Sequence, residues 1–338
     1  MKFISCQEPG SFRFAERSAP SPKTGEALLK MTRVGICGTD LHAYQGNQPF
    51  FSYPRILGHE LAAEVISVGP NKQGLEAGDQ VAIMPYLSCG HCIACRNGKT
   101  NCCTTLKVLG VHIDGGMQEI ISLPTEILIK ANHLSPDQIA IIEPLSIGAH
   151  AVRRAQIQAG EKVVVMGCGP IGIGIMQLAK LQGAEIIALD INPQRLEYAK
   201  QSLDIEHLVD VRKNPVEQVL EITNGDLATA VFDATGNQAS LQSGPNYLAH
   251  GGRYILVGLL KGDLTYYHPA IHAKETSILC SRNATLEDFA HVMDVLANGQ
   301  FPVDKYITHR VDFDQMIEQF ESWIDPKNQV MKAMVSMP

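Results

Sequence analysis

Residues 161–172 read Glu161-Lys162-Val163-Val164-Val165-Met166-Gly167-Cys168-Gly169-Pro170-Ile171-Gly172. An unbroken apolar run this short, closed by glycine, predicts a buried strand. The G-x-G-x-x-G turn follows directly, and residues 170–182 predict a helix. In that setting Gly167 makes the tight turn, Gly169 lets backbone approach a pyrophosphate, and Gly172 lets the helix pack close to the strand. The free N–H groups and positive dipole end of the helix face the phosphates. Asp190 ends the next strand, EIIALD (residues 185–190), about twenty residues on, where a carboxylate grips ribose hydroxyls and repels a 2′-phosphate. NAD is therefore favoured over NADP, although Arg195 is placed to receive such a phosphate. A doubly wound domain that binds nothing at this turn is the plainer alternative.

Outward from this unit, residues 193–202 predict a helix opened by proline. ATAVFDATG (228–236), a helix near 238–248 and GRYILVGLL (252–260) follow. Strands alternating with helices predict a parallel sheet covered on both faces. Before residue 145 the texture differs: short runs at 26–34, 61–68 and 80–84, punctuated by Gly and Pro, predict a β-rich domain. Beyond Cys280 the pattern is helix (286–297), loop, helix (313–323) and a closing strand (330–337), which periodicity alone assigns to neither half. A chain of 338 residues accommodates two domains.

In the β-rich part, Cys89-x2-Cys92-x2-Cys95-x7-Cys103 brings four thiols into one loop, the spacing of a tetrahedral zinc shell. Gly90 and Gly98 let the loop bend. Such a shell has no open position, so this metal is structural. The rival reading, a disulfide knot, belongs to an oxidising compartment. The start of the chain lacks a signal-peptide pattern, and Cys6, Cys37, Cys102, Cys168 and Cys280 show no pairing pattern. Reduced, cytoplasmic thiols are the economical reading. No apolar run reaches the length of a membrane span. The balance of 28 basic against 35 acidic residues, with no basic block, argues against a nucleic-acid partner.

Cys37, His59, Glu60 and Glu143 are thiolate, imidazole and carboxylates, the ligand types of a catalytic zinc. Each also has a plainer reading: Cys37 as apolar filler, His59 as a hydrogen-bonded core histidine, Glu143 as a helix-start carboxylate.

These residues also carry a family resemblance. CGTDLH (37–42), GHELAAEVISVG (58–69), GDQVAIMP (78–85), CGHCIACRNGKTNC (89–102), IIEPL (141–145) and GCGPIG (167–172) occur in the order seen in zinc-dependent medium-chain dehydrogenases. The chain most resembles the polyol and sugar-acid branch, with sorbitol, threonine and L-galactonate or L-gulonate dehydrogenases, and VLGVHIDGGMQEI (108–120) resembles the sugar-acid 5-dehydrogenases. The resemblance implies an α/β chain with a GroES-like catalytic domain over 1–145 that includes the structural zinc lobe. A doubly wound Rossmann NAD-binding domain would span 146–283, and residues 284–338 would return to the catalytic domain.

It further implies a catalytic zinc on Cys37, His59 and Glu143, with Glu60 either a fourth ligand or a group that exchanges with water. Thr39 would touch the substrate oxygen and His42 would end the proton path. Cofactor contacts carried over are Ile171, Asp190, Arg195, Val257, Gly258, Leu259, Ser281 and Arg282, beside Gly167, Gly169 and Gly172. Two zincs per chain, NAD, a homodimer or homotetramer and a small polyhydroxylated substrate are implied. The reaction is hydride transfer from a secondary alcohol of a polyol or sugar acid to NAD.

Tyr44, Phe50, Phe51, His112 and Glu119 are candidate cleft residues. Arg55, Lys107, His112 and Arg282 are candidate partners for a substrate carboxylate. The competing readings are a threonine- or sorbitol-type enzyme of the same branch, a zinc-free reductase of the same fold, and a non-enzymatic zinc-stabilised nucleotide-binding protein. The retained ligand residues argue against the last two.

Overall fold

The structure is a computed structural model that describes residues 1–48 and 51–338; Phe50 lies outside the described residues. The chain divides into two compact units, Met1–Pro144 with Thr285–Pro338, and Leu145–Ala284.

The second unit is a six-stranded sheet whose pairings are all parallel. The spatial order is His207–Asp210, Glu185–Asp190, Lys162–Met166, Ala228–Asp233, Leu248–Leu256, Ser277–Cys280. Strand order reverses between Lys162–Met166 and Ala228–Asp233, which makes the carboxyl ends of those strands a topological switch point. Val163, Val164 and Val165 are fully buried in the central strand, as the unbroken apolar run requires. Helices Pro170–Leu181 and Pro193–Leu203 both start with proline, whose fixed φ and missing N–H cost nothing at the first helical position. The helix predicted near 238–248 is shorter. Helix Gln238–Ser243 gives way to a 3₁₀ turn at Gly244–Tyr247, because Pro245 donates no N–H and Gly244 packs directly on the Tyr254 ring. The following strand consequently starts at Leu248 and stops at Leu256, which leaves Val257, Gly258 and Leu259 in a loop.

The first unit is built on a seven-stranded sheet. Along it run Ile307–Asp312, Lys332–Ser336, Glu26–Ile36, Glu60–Val68, Gln80–Ile83 and Leu128–Lys130, with Ile120–Pro124 also paired to Glu26–Ile36. Alternate residues Ala27, Leu29 and Met31 point into its core, with Trp323, Phe313 and Phe320 supplied by the tail. The last 54 residues therefore contribute two strands to a sheet begun by the first 36, a pairing that local periodicity cannot reveal. The tail helix predicted at 313–323 is α-helical only over Met316–Phe320, with 3₁₀ turns on either side. Sequence reading also missed the amino-terminal hairpin Lys2–Glu8/Ser11–Glu16 and helix Gly38–Tyr44.

Candidate active site

Helix Gly38–Tyr44 begins at Cys37, whose backbone N–H donates to Asp40 Oδ2 at 2.9 Å. The other Asp40 oxygen accepts the Gly58 N–H at 3.2 Å. Asp40 is fully buried, so one carboxylate ties the start of this helix to the segment bearing His59. Cys37 Sγ, a His59 ring nitrogen and a Glu60 carboxylate oxygen all lie within 4.8 Å of one another. His59 is buried; burial alone lowers its pKa, yet Cys37, Asp40 and Glu143 together hold it well above the usual value. Its Nδ1 has no hydrogen-bond partner, and Asp40 Oδ1 lies 3.9 Å away.

Glu143 stands in the first turn of helix Ile142–Ala155. Burial raises its carboxyl to about 7, and the charges of His59, Glu60 and Lys332 act on it. The Tyr86 hydroxyl donates to Glu143 Oε1, while Oε2 is buried without a partner. Unpartnered buried polar atoms are costly, and two of them here, beside a cysteine, fit a cation with nitrogen, oxygen and sulfur ligands. Glu60 is different. Lys332 Nζ donates to its Oε1 at 2.5 Å and Oε2 at 2.7 Å, and to the Ile36 carbonyl at 3.1 Å. Asp40, Tyr86 and Lys332 all escaped sequence reading. The one available signal was a lone lysine inside the apolar run of residues 330–335.

Thr39 and His42 share helix Gly38–Tyr44, three positions apart and thus on one face; Thr39 is half-buried and His42 exposed.

The four-cysteine loop closes as its spacing predicts. Cys89, Cys92, Cys95 and Cys103 present their sulfurs within 4.8 Å of one another, while Cys102 is exposed. Backbone N–H groups of Cys95 and Thr104 lower the Cys92 thiol to about 5, whereas burial and the neighbouring thiols push Cys95 up to about 11. Thiols this crowded cannot all ionise without a cation between them, which is what zinc provides.

In the second unit the proposed cofactor residues lie at the carboxyl end of a parallel strand (Asp190), in the loops beyond such ends, or at the helix starts that follow them. Gly167 has φ +95°, and a Cβ on Gly172 would overlap the Gly167 carbonyl, so the turn and the close helix approach both require glycine. Ile171 is in the first turn of helix Pro170–Leu181. Asp190 accepts the Cys168 N–H at 2.7 Å and the Asn192 N–H at 2.8 Å. It therefore braces the glycine turn. Arg195 reaches the same turn: a Cβ on Gly169 would meet its Nη1 at 3.0 Å. The backbone N–H groups of Val257 and Gly258 donate to the Asp233 carbonyl at 3.0 and 2.9 Å. Leu259 is exposed, Arg282 is exposed, and Ser281 is buried with an unpartnered hydroxyl.

The candidate substrate residues fare unevenly. Tyr44 belongs to the core, with its hydroxyl on Glu321 at 2.8 Å and its ring stacked on Phe12. Glu119 accepts the Lys2 N–H at 2.6 Å and anchors the first strand. His112 Nδ1 accepts the Val108 N–H at 3.1 Å, and Phe51 packs edge-on against Tyr53. Arg55 is engaged by Asp114 at 3.3 Å and Ser52 at 2.9 Å; Lys107 is exposed on the short strand Lys107–Val108.

Residues 23–133 match the alcohol dehydrogenase GroES-like domain, and residues 170–298 match the zinc-binding dehydrogenase domain. The L-galactonate-5-dehydrogenase of Escherichia coli K12 is 43% identical over 99% of both chains. The sorbitol dehydrogenase of Bacillus subtilis is 33% identical over 94% of this chain and 91% of its own. A solved structure described as a short chain alcohol dehydrogenase, from E. coli CFT073 with the cofactor NADH, superposes with a TM-score of 0.93 at 31% identity, covering 99% of each chain. Together with the two ligand clusters and the doubly wound sheet, these matches place the chain in the zinc-dependent medium-chain dehydrogenase family, in its polyol and sugar-acid branch, with zinc and NAD as cofactors.

Proposed function

We propose that this protein oxidises a secondary alcohol of a sugar acid of the L-galactonate or L-gulonate type, with NAD preferred over NADP. The observation that carries the reading is the cluster of Cys37, His59 and Glu60, with the buried and unpartnered Glu143 Oε2 beside it in the charge balance, in a chain so close along its whole length to a sugar-acid dehydrogenase. Cys37, His59 and Glu143 would hold the catalytic zinc, with Glu60 either a fourth ligand or a group that exchanges with water, and Cys89, Cys92, Cys95 and Cys103 would hold the structural one. When bound, zinc supplies Lewis acidity toward the substrate hydroxyl and NAD supplies the hydride acceptor.

The protein's own groups then manage position and protons. Asp40 fixes the spacing of the Cys37 and His59 segments. Thr39 takes up the hydroxyl proton as it hands its own on, and His42, exposed on the same helix face, ends that relay at solvent. Gly167, Gly169, Ile171 and Gly172 present backbone to the pyrophosphate. Asp190 takes the ribose hydroxyls, and Arg195, Val257, Gly258, Leu259, Ser281 and Arg282 complete the cofactor contacts. Residues 1–145 and 284–338 would act as the catalytic domain and 146–283 as the NAD-binding domain. Among the described residues no helix is long and apolar enough to cross a membrane, and we place the protein in the cytoplasm as a homodimer or homotetramer.

The test is a panel of aldonates, polyols and simple alcohols with NAD, followed by absorbance of the reduced cofactor. Higher kcat/KM for an aldonate than for any polyol is expected. Turnover of primary alcohols alone would refute the reading.

A further inference from the structure

Asp190 has an acidic neighbour that the cofactor contacts leave unused. Strands Glu185–Asp190 and His207–Asp210 run parallel with Asp190 opposite Asp210, and the Val211 N–H donates to the Asp190 carbonyl at 3.2 Å. Register partners on neighbouring strands lie about 4.8 Å apart and turn their side chains to the same face. The two carboxylates therefore stand side by side at the carboxyl end of the sheet, with Asp210 on its edge strand. Their oxygens have different partners. Asp190 takes backbone, its Oδ2 accepting the Cys168 N–H and its Oδ1 the Asn192 N–H. Asp210 takes a guanidinium: Arg212 donates from Nε to Oδ1 at 2.8 Å and from Nη2 to Oδ2 at 2.6 Å. The Arg212 backbone N–H adds a third bond to Oδ1 at 3.0 Å, and Lys213 Nζ stands 3.8 Å from Oδ2. Hydrogen bonds from Arg212 hold the Asp210 carboxyl well below the usual carboxylate range.

We propose that Asp210 is a second determinant of the preference for NAD: its two-pronged grip on Arg212 withholds that guanidinium from a phosphate on the 2′ oxygen of the ribose that Asp190 receives. The inference rests on the reading of Asp190 as the ribose carboxylate. Asp190 disfavours NADP by direct repulsion, yet a guanidinium one strand away would offset that repulsion, because its planar fork matches phosphate as well as it matches carboxylate. Arg212 begins two residues beyond Asp210 and its side chain is 52% exposed, so it has room to swing toward the neighbouring strand end once its partner is removed. With Asp210 present, any such swing must break both charge-assisted bonds. Arg195 approaches the same ribose from the glycine turn and has no part in this clamp.

The experiment measures equilibrium binding of NAD and NADP to the full chain by titration calorimetry, with no turnover required. Asp210→Asn removes the charge that holds Arg212 and keeps the size of the side chain. It should bind NADP about tenfold more tightly, the scale of one charge-assisted hydrogen bond, with NAD affinity changed less than about twofold. Adding Arg212→Ala to that variant should abolish the gain. Arg212→Ala alone bares the Asp210 carboxylate and should bind NADP more weakly than the unmodified protein. Unchanged NADP affinity in Asp210→Asn would overturn the proposal, and so would a gain that survives in the double variant, since loss of one negative charge and not release of Arg212 would then explain it. Tighter or unchanged NADP binding in Arg212→Ala would also overturn it, and this arm decides the question even where Asp210→Asn fails to fold. An unmodified protein that binds NADP as tightly as NAD would instead remove the reading of Asp190 on which the proposal rests.

Discussion

Stripping the metal and replacing Glu143 by glutamine probes the charge balance of the active-site cluster directly. In the metal-free protein, burial raises the Glu143 carboxyl from 4.5 to about 7. At about 1.4 kcal/mol per pH unit this corresponds to about 3 kcal/mol of folded-state preference for the protonated form. The sign follows from proton counting. The folded carboxyl binds its proton more tightly than the unfolded one, so the contribution is fully present below pH 4.5. It is lost as pH rises through the folded value near 7. His59, whose pKa is also raised, loses its contribution in the same direction as pH rises.

Glu143→Gln keeps an acceptor for the Tyr86 hydroxyl and removes the titration. The metal-free unmodified protein should therefore lose about 3 kcal/mol relative to Glu143→Gln between pH 4.5 and 8, or roughly 6–12 °C in the melting temperature of the affected transition. Differential scanning calorimetry of both chelator-treated proteins across that range reads the difference. With zinc restored the dependence should reverse, because a ligating carboxylate is deprotonated and metal affinity rises with pH. Parallel pH profiles for the two metal-free proteins would refute the assignment of Glu143 to a desolvated, charge-crowded site.

Cys92→Ser should lose one zinc per chain and melt several degrees lower while nucleotide affinity is retained, since a structural metal contributes folding energy directly; metal analysis with calorimetry checks this. Asp190→Ser should narrow or invert the preference for NAD over NADP, read as the ratio of kcat/KM values. An unchanged ratio would mean that Arg195, which reaches the same turn, governs selectivity. Gly35→Ala should destabilise the first unit by about 3 kcal/mol, because a Cβ there would overlap the Glu60 carboxylate and displace it from its buried ion pair with Lys332; an unaltered melting temperature would count against the crossing of Glu60 over Gly35.

Short-range pattern carried the nucleotide half and the cysteine loop. A buried strand, a glycine turn and a helix start are adjacent in residues 161–172, and each has a steric requirement that sequence displays. Cys89, Cys92, Cys95 and Cys103 likewise need only the bending of one loop to meet. The ends of elements were less legible: the helix expected near 238–248 stopped at Ser243 because Gly244 and Pro245 serve ring packing and a 3₁₀ turn. Tyr44 and Glu119 read as cleft residues, yet one lies in the aromatic core and the other anchors the first strand.

By itself the sequence determined that a doubly wound nucleotide-binding half adjoins a β-rich half carrying a closed four-thiol site, since those features depend on neighbours in the chain. It also supplied Cys37, His59, Glu60 and Glu143 as candidates without saying how they are arranged. Tertiary structure decided that arrangement. Lys332 and Glu60 are 272 residues apart in sequence and become partners only because the tail pairs with the far side of strand Glu26–Ile36. Tyr86 finds Glu143 across 57 residues in the same way. Which carboxylate is gripped and which keeps a free oxygen depends on strand order and on the missing side chain at Gly35, and neither has a local signature in the amino-acid sequence.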